Sequence, residues 1–202
     1  ETVTLEDFCI AVNGLFPKPH RSYTGYPASK PSASPSSLKR IAGGTCEDYL
    51  GLFTYLGRSY GVPVATDYTP QWANHSKNHS WCGVMRGDST FHYSVGGWLS
   101  PVRERKFSYK LPKVYRRMFS IQKESLGARV RPENLPPTLR SQRIRDVSAE
   151  YMPVTDVSLS GLFRDSRSKH VFLCCFDDKD WVAVAGDRRR GAKALIADMG
   201  YP

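Results

Sequence analysis

The chain's 202 residues suffice for one sizeable core, or for a core with a small appended module. No run approaches the roughly 20 consecutive apolar residues of a membrane-spanning helix, which excludes that class of segment. The net charge of +10 is confined, because residues 101–145 hold 13 Lys or Arg against three Asp or Glu while the remainder carries 16 of each. That segment also holds five prolines and lacks the Gly/aromatic pattern of an RNA-binding sheet. It reads as a solvated basic connector or as a docking face for an acidic partner, and not as a nucleic-acid interface. Five cysteines at low density (Cys9, Cys46, Cys82 and the adjacent Cys174 and Cys175) argue against a disulfide scaffold and leave at least one thiol free.

In chain order, the spacing of Leu5, Phe8, Cys9, Val12 and Leu15 predicts an amphipathic helix over 5–15. Residues 18–37 are rich in Pro and Ser with no apolar period, and read as a loop or loosely packed arm. Gly43-Gly44 ends that stretch, Thr45 is a candidate N-cap, and Asp48 three residues on is a short version of the capping box. A helix should follow, with Tyr49, Leu50, Leu52, Phe53 and Leu56 as its apolar face and with Gly61 and Pro63 as its stop. Residues 62–68 and 80–85 predict strands, the second turning at Gly87-Asp88 into 90–95. Beyond the basic segment, 146–153 and 158–163 predict short strands, and 171–176 with 181–185 predict a hairpin turning on Asp177-Asp178-Lys179-Asp180. Met199-Gly200-Tyr201-Pro202 follows closely on a predicted strand, an ending expected of a fragment.

The chemistry concentrates at Cys46 and His79. In the first helical turn, unsatisfied N–H groups and the positive dipole end favour a thiolate, while the neighbouring Glu47 and Asp48 oppose it. A histidine partner therefore matters more than the helix alone, and His79 beside Trp81 supplies a base for a thiol nucleophile. Trp72 and Trp81 would line a cleft or simply pack in a core, and Gln71 is either an oxyanion donor or a surface amide. His75, His79 and Cys82 lack the paired-cysteine or helical His-Glu spacing of a zinc site, so no metal and no cofactor is implied.

Gly44-Thr45-Cys46-Glu47-Asp48-Tyr49, then Arg58-Ser59-Tyr60-Gly61-Val62-Pro63, then His79-Ser80-Trp81 together resemble the transglutaminase-like core over residues 41–98. In that family a Gly-x-Cys opens a helix, an Arg-x-x-Gly-Ile-Pro follows its end and a His-x-Trp starts a strand. Here His79 lies 33 residues after Cys46. Asp67-Tyr68-Thr69-Pro70-Gln71-Trp72, Lys113-Val114-Tyr115-Arg116 and Asp146-Val147-Ser148-Ala149-Glu150-Tyr151 are similar to segments of transglutaminase-like proteins of Bacteroidetes, which carry a β-rich module after the core and are commonly exported.

The resemblance implies an α+β fold with a transglutaminase-like, papain-like cysteine-protease core and an appended small β-rich module. Its expected parts are an N-terminal helix and arm (1–37), the core (38–100), the basic connector (101–145) and the C-terminal β-rich module (146–202). It implies a Cys46 acyl-thioester with His79 as general base, acting on peptide or protein amides by hydrolysis or acyl transfer, in the periplasm or at the cell surface. The family's third catalytic member is an Asp some 15 residues after the His, where this chain reads Phe91-His92-Tyr93-Ser94-Val95 with no acid. Ser94 replaces it, Asp88 supplies it through an unexpected register, or the chain has none. In the last case the alternative is an inactive peptide- or glycan-binding module that retains the cleft.

Overall fold

The computed structural model describes residues 4–14, 34–41, 46–87, 89–93, 109–161 and 166–201. The chain is α+β, and it divides into two units, residues 1–66 with 80–105 and residues 67–79 with 106–202. The division departs from the expected boundaries at 38–100 and 146–202, because 67–79 cluster with the later part of the chain.

In the first unit, helix α1 (Leu5–Gly14) starts on a reciprocal cap. The Thr4 N–H and hydroxyl donate to Asp7 Oδ2 at 3.0 and 2.5 Å, and the Asp7 N–H donates back to Thr4 Oγ1 at 3.1 Å. Helix α2 (Pro35–Ile41) begins inside the stretch read as a loop. The residue types that suggested a loop there are the ones that start a helix: Ser34 Oγ accepts from the Ser37 N–H at 3.2 Å, and Pro35 fills the first helical position. Leu38 is its buried anchor, and residues 18–33 lie outside the described residues.

Helix α3 (Cys46–Ser59) matches the expected span, although its N-cap Thr45 lies outside the described residues. Its end shows why the sequence reads Arg-x-x-Gly-x-Pro. Gly61 takes φ +75°, which a Cβ disfavours, and lets the Val62 N–H reach back to Gly57 O at 2.8 Å. Arg58 then donates from Nε and Nη2 to Val64 O at 3.0 and 2.7 Å, fastening the helix end to strand β1 (Val64–Thr69). A Cβ on Gly57 would stand 2.6 Å from Val64 Cγ2, so only glycine admits this approach.

Strand β2 (His79–Arg86) pairs antiparallel with β3 (Ser89–Tyr93), with Cys82 opposite Tyr93 and Val84 opposite Phe91. In the strand order β2 has β3 on one side and β1 on the other. Cys9, Val12, Leu50, Phe53, Val64, Cys82 and Val84 form the core of this unit, and the Tyr93 hydroxyl donates to Cys9 O at 2.9 Å.

In the second unit, β4 (Tyr115–Arg117) follows β1 in the strand order and pairs antiparallel with β5 (Ile144–Asp146). A single-turn helix α4 (Leu126–Arg129) is capped by Ser125 Oγ. Strand β6 (Val154–Ser160) pairs with β9 (Lys193–Gly200), and β7 (His170–Asp177) pairs with β8 (Asp180–Arg188) through the expected turn. Val184, Ala185, Ile196 and Met199 form one core cluster, and Tyr115, Leu139, Ile144 and Ala183 a second.

Two expectations change here. The sequence predicts a strand over 146–153, yet of these only Asp146 lies in a strand, at the end of β5, and Ser148–Glu150 form a 3-10 turn. Asp146 Oδ1 accepts from the Ser148 N–H at 3.0 Å and its hydroxyl at 2.6 Å, a local bond that competes with a strand ladder. The basic segment, from residue 109 on, is no solvated connector: it contributes β4, α4 and β5, and its Lys113 and Arg116 are 3% and 1% exposed. Residues 101–108 lie outside the described residues.

Tyr115 generates a pH prediction. Burial first, then the Asp146 charge and Tyr68, push its phenol well above the usual 10.0, and the hydroxyl donates to Val184 O at 2.9 Å. The unfolded phenol ionises from about pH 10 while the folded one keeps its proton, so stability is unaffected below pH 10 and falls above it. The expected slope is about 1.4 kcal/mol per pH unit. Tyr115→Phe should cost about 1 kcal/mol at neutral pH through the lost hydrogen bond and should flatten the alkaline decline, as read by urea denaturation across that range.

Candidate functional site

Cys46 is the first residue of α3, so its backbone stands at the helix end where N–H groups lack intrahelical acceptors. Its side chain lies outside the described residues. Within the same helix Tyr49 is 5% exposed and its hydroxyl has no hydrogen-bond partner among the described residues. Burial, and then the charge of Asp48, push that phenol above its usual value. A buried hydroxyl with nothing to bond costs about 1–3 kcal/mol. This group, one turn along from Cys46, carries no sequence signal beyond its place on the apolar face.

His79 is the first residue of β2, reached through the loop 70–78. The loop is fastened at several points: the Trp72 N–H donates to Lys77 O at 3.1 Å, the Ala73 N–H to Lys110 O at 2.9 Å and the Lys110 N–H to Asn74 Oδ1 at 2.8 Å. Lys77 takes φ +89°, and its N–H donates to Asp177 Oδ1 at 3.1 Å. So fixed, the loop lays the indole of Trp72 against the His79 imidazole, with ring centres 6.0 Å apart and planes 20° from parallel. Tyr109 packs on both Trp72 and His75, at 5.4 and 4.6 Å between ring centres.

Gln71 is 2% exposed and is no surface amide. Its Nε2 donates to His75 O at 2.9 Å, so one of its two amide hydrogens is committed to the loop, and an oxyanion role would have to use the other. Trp81 is 1% exposed within β2 and Trp72 is 7% exposed, so both pack, and Trp72 does so against the imidazole. Asp88 and Ser94, the two candidates for a third catalytic member, lie outside the described residues. Among the described residues no three His, Cys, Asp or Glu side chains are grouped to hold a metal ion.

The three segments 67–72, 113–116 and 146–151 meet in one buried network that sequence reading did not connect. Asp67, fully buried, accepts from Arg116 Nε at 2.8 Å on one oxygen, and from Arg116 Nη2 at 2.7 Å and the Tyr151 hydroxyl at 2.6 Å on the other. Glu150 accepts from the remaining side of the same guanidinium at 3.2 and 2.8 Å. Burial alone would weaken the Arg116 charge; the bonds and charges of Asp67, and then of Glu150, outweigh it and hold the guanidinium protonated above its usual range. Buried Lys113 extends the network, donating to Ala197 O at 2.7 Å and Asp198 O at 2.8 Å and pairing with the Asp146 carboxylate. With Asp67, Arg116 and Lys113 buried and only Glu150 and Asp146 partly exposed at the edge, these charges are engaged with one another and hold β1, β4, β9 and the 148–150 turn.

No family model matches the chain, and neither the curated proteins nor the solved structures provide a match. No helix among the described residues is long and apolar enough to cross a membrane.

Two substitutions separate scaffold from site. Arg116→Leu leaves the Asp67 carboxylate buried without its partner and should cost about 3–5 kcal/mol in chemical denaturation. Tyr49→Phe removes a hydroxyl that has no partner among the described residues, so the melting temperature should hold or rise; a marked fall would mean that the hydroxyl has a bond in solution.

Proposed function

We propose that the chain is a transglutaminase-like thiol enzyme acting on peptide or protein amides, with Cys46 as nucleophile and His79 as general base, and that it works outside the cytoplasm as the exported proteins it resembles do. The observation that carries the reading is positional: Cys46 heads the 14-residue helix α3 and His79 heads β2, the two element starts that the motif order calls for. The Trp72 contact supports it further, since an indole lying nearly parallel to the imidazole with ring centres 6.0 Å apart crowds one side of that ring.

In this mechanism the His79 imidazole takes the Cys46 thiol proton, and the thiolate adds to the amide carbonyl carbon. The tetrahedral intermediate collapses as the C–N bond breaks, and the imidazolium returns its proton to the departing amine. The thioester is then cleaved by water, giving a carboxylic acid, or by a second amine, giving a new amide; His79 accepts the incoming proton and passes it to the Cys46 sulfur. Hydrolysis demands less of the site, because water needs no binding surface.

The other described thiols make a clean background. Cys9 and Cys82 are fully buried, and burial first, then the Asp180 charge at Cys174 and the neighbouring Cys174 at Cys175, raise exposed Cys174 and half-buried Cys175 above the usual thiol value of 9.0. Alkylation by iodoacetamide near pH 6, located by mass spectrometry, should therefore mark Cys46 first. His79→Ala should slow that labelling at least tenfold, and Cys46→Ala should abolish turnover of amide substrates with the fold intact. Labelling indifferent to His79, or full turnover in Cys46→Ala, would sink the thiol mechanism.

A further inference from the structure

The second unit carries a separate open groove of about 910 Å³, independent of Cys46 and His79. Its walls come from opposite sides. Arg129 and Arg131 belong to α4 and the residues after it, while Lys169, Arg188, Arg189 and Arg190 stand at the open end of the β7–β8 hairpin, where His170 pairs with Arg188. That end is held in place: the Arg189 N–H donates to Lys169 O and its Nη2 to Ser166 O, both at 2.8 Å. Among the described residues no carboxylate pairs with Arg131, Lys169, Arg188 or Arg190, which line the groove.

We infer that this groove binds an acidic polypeptide segment, one whose carboxylates are separated by apolar residues. Five of the six cations are arginines, whose planar forks engage carboxylates in pairs of hydrogen bonds. Three further features favour a peptide over a nucleic acid or a sulfated glycan. Leu126 and Val130 give the lining an apolar strip suited to aliphatic side chains. Among the described residues no Phe, Tyr or Trp lines the groove, so a base would find only the His170 ring and the arginine planes to stack on, without the large aromatic platforms usual in single-strand binders. Asp187, set 3.5 Å from Arg129 Nη2, interrupts the run of cations and so suits carboxylates spaced along a peptide better than a continuous line of anions. Asn134 adds an amide that can bond to a peptide backbone.

The test is fluorescence anisotropy of the full chain with a labelled peptide of repeating Glu-Leu-Glu-Gly, with its Gln-Leu-Gln-Gly counterpart, and with a random-sequence DNA duplex and heparin as competitors. Saturable binding of the Glu peptide that weakens as salt rises is expected, with no binding of the Gln peptide. Arg188→Glu with Arg190→Glu should weaken it at least about tenfold at an unchanged melting temperature. If that pair unfolds the chain, Arg188→Gln with Arg190→Gln should still weaken binding about threefold. The proposal is overturned by absence of binding, by binding indifferent to these substitutions, or by duplex or heparin binding more tightly than the peptide.

Discussion

A carboxylate and a guanidinium can be buried together only if nearly all of their hydrogen-bonding positions are filled, and the second unit is organised around meeting that condition. Asp67 lies at the second half of β1, Arg116 in β4, and Glu150 and Tyr151 at the 148–150 turn, so one saturated cluster joins three stretches separated by tens of residues. The Lys113 ammonium does the same for the end of β9, where Gly200 also admits a close approach: a Cβ there would stand 2.2 Å from Leu111 O. The loop leading to His79 departs directly from β1, whose last residues this cluster anchors. The loop that carries the imidazole thus springs from a strand end held by two buried charges, Asp67 and Arg116.

The same stretch of chain uses its basic residues in two opposed ways. Lys113 and Arg116 are sealed inside and consume Asp67, Asp146 and Glu150, whereas Arg129 and Arg131 look into an open groove. A formal charge summed along 101–145 joins these roles and so misdescribes both. What matters for association is the arrangement of the cations that remain outward, and these gain neighbours from the β7–β8 hairpin at positions 169 and 188–190.

Elements with a strong local signal were legible from the sequence. Helices α1 and α3 follow their apolar spacing, α3 stops at Gly61, and both hairpins turn where Gly87 and Asp177-Asp178-Lys179-Asp180 direct them. Helix α2 was hidden because Ser34 and Pro35 signal a loop and a helix start alike, and the 148–150 turn because the Asp146 side chain outcompetes the ladder. The buried charges could not be read at all, since no periodicity links Asp67 to Arg116 or Lys113 to Ala197. Of the candidate site, the element starts at Cys46 and His79 came from motif order, while the Trp72 stack depends on bonds from the loop to Lys110 and Asp177. Neither Gln71's internal bond nor the burial of Tyr49's hydroxyl left a mark in the sequence.

The contact of Trp72 with His79 also makes the imidazole optically visible. An excited indole passes an electron more readily to an imidazolium than to a neutral imidazole, so its emission dims when a ring at this distance gains a proton. Of the other three indoles, Trp81 is buried in β2, Trp181 is 65% exposed near the tip of the β7–β8 hairpin, and Trp98 lies outside the described residues. The indole beside the histidine is therefore a built-in gauge of its charge, readable without substrate or label as the part of the emission that Trp72→Phe removes.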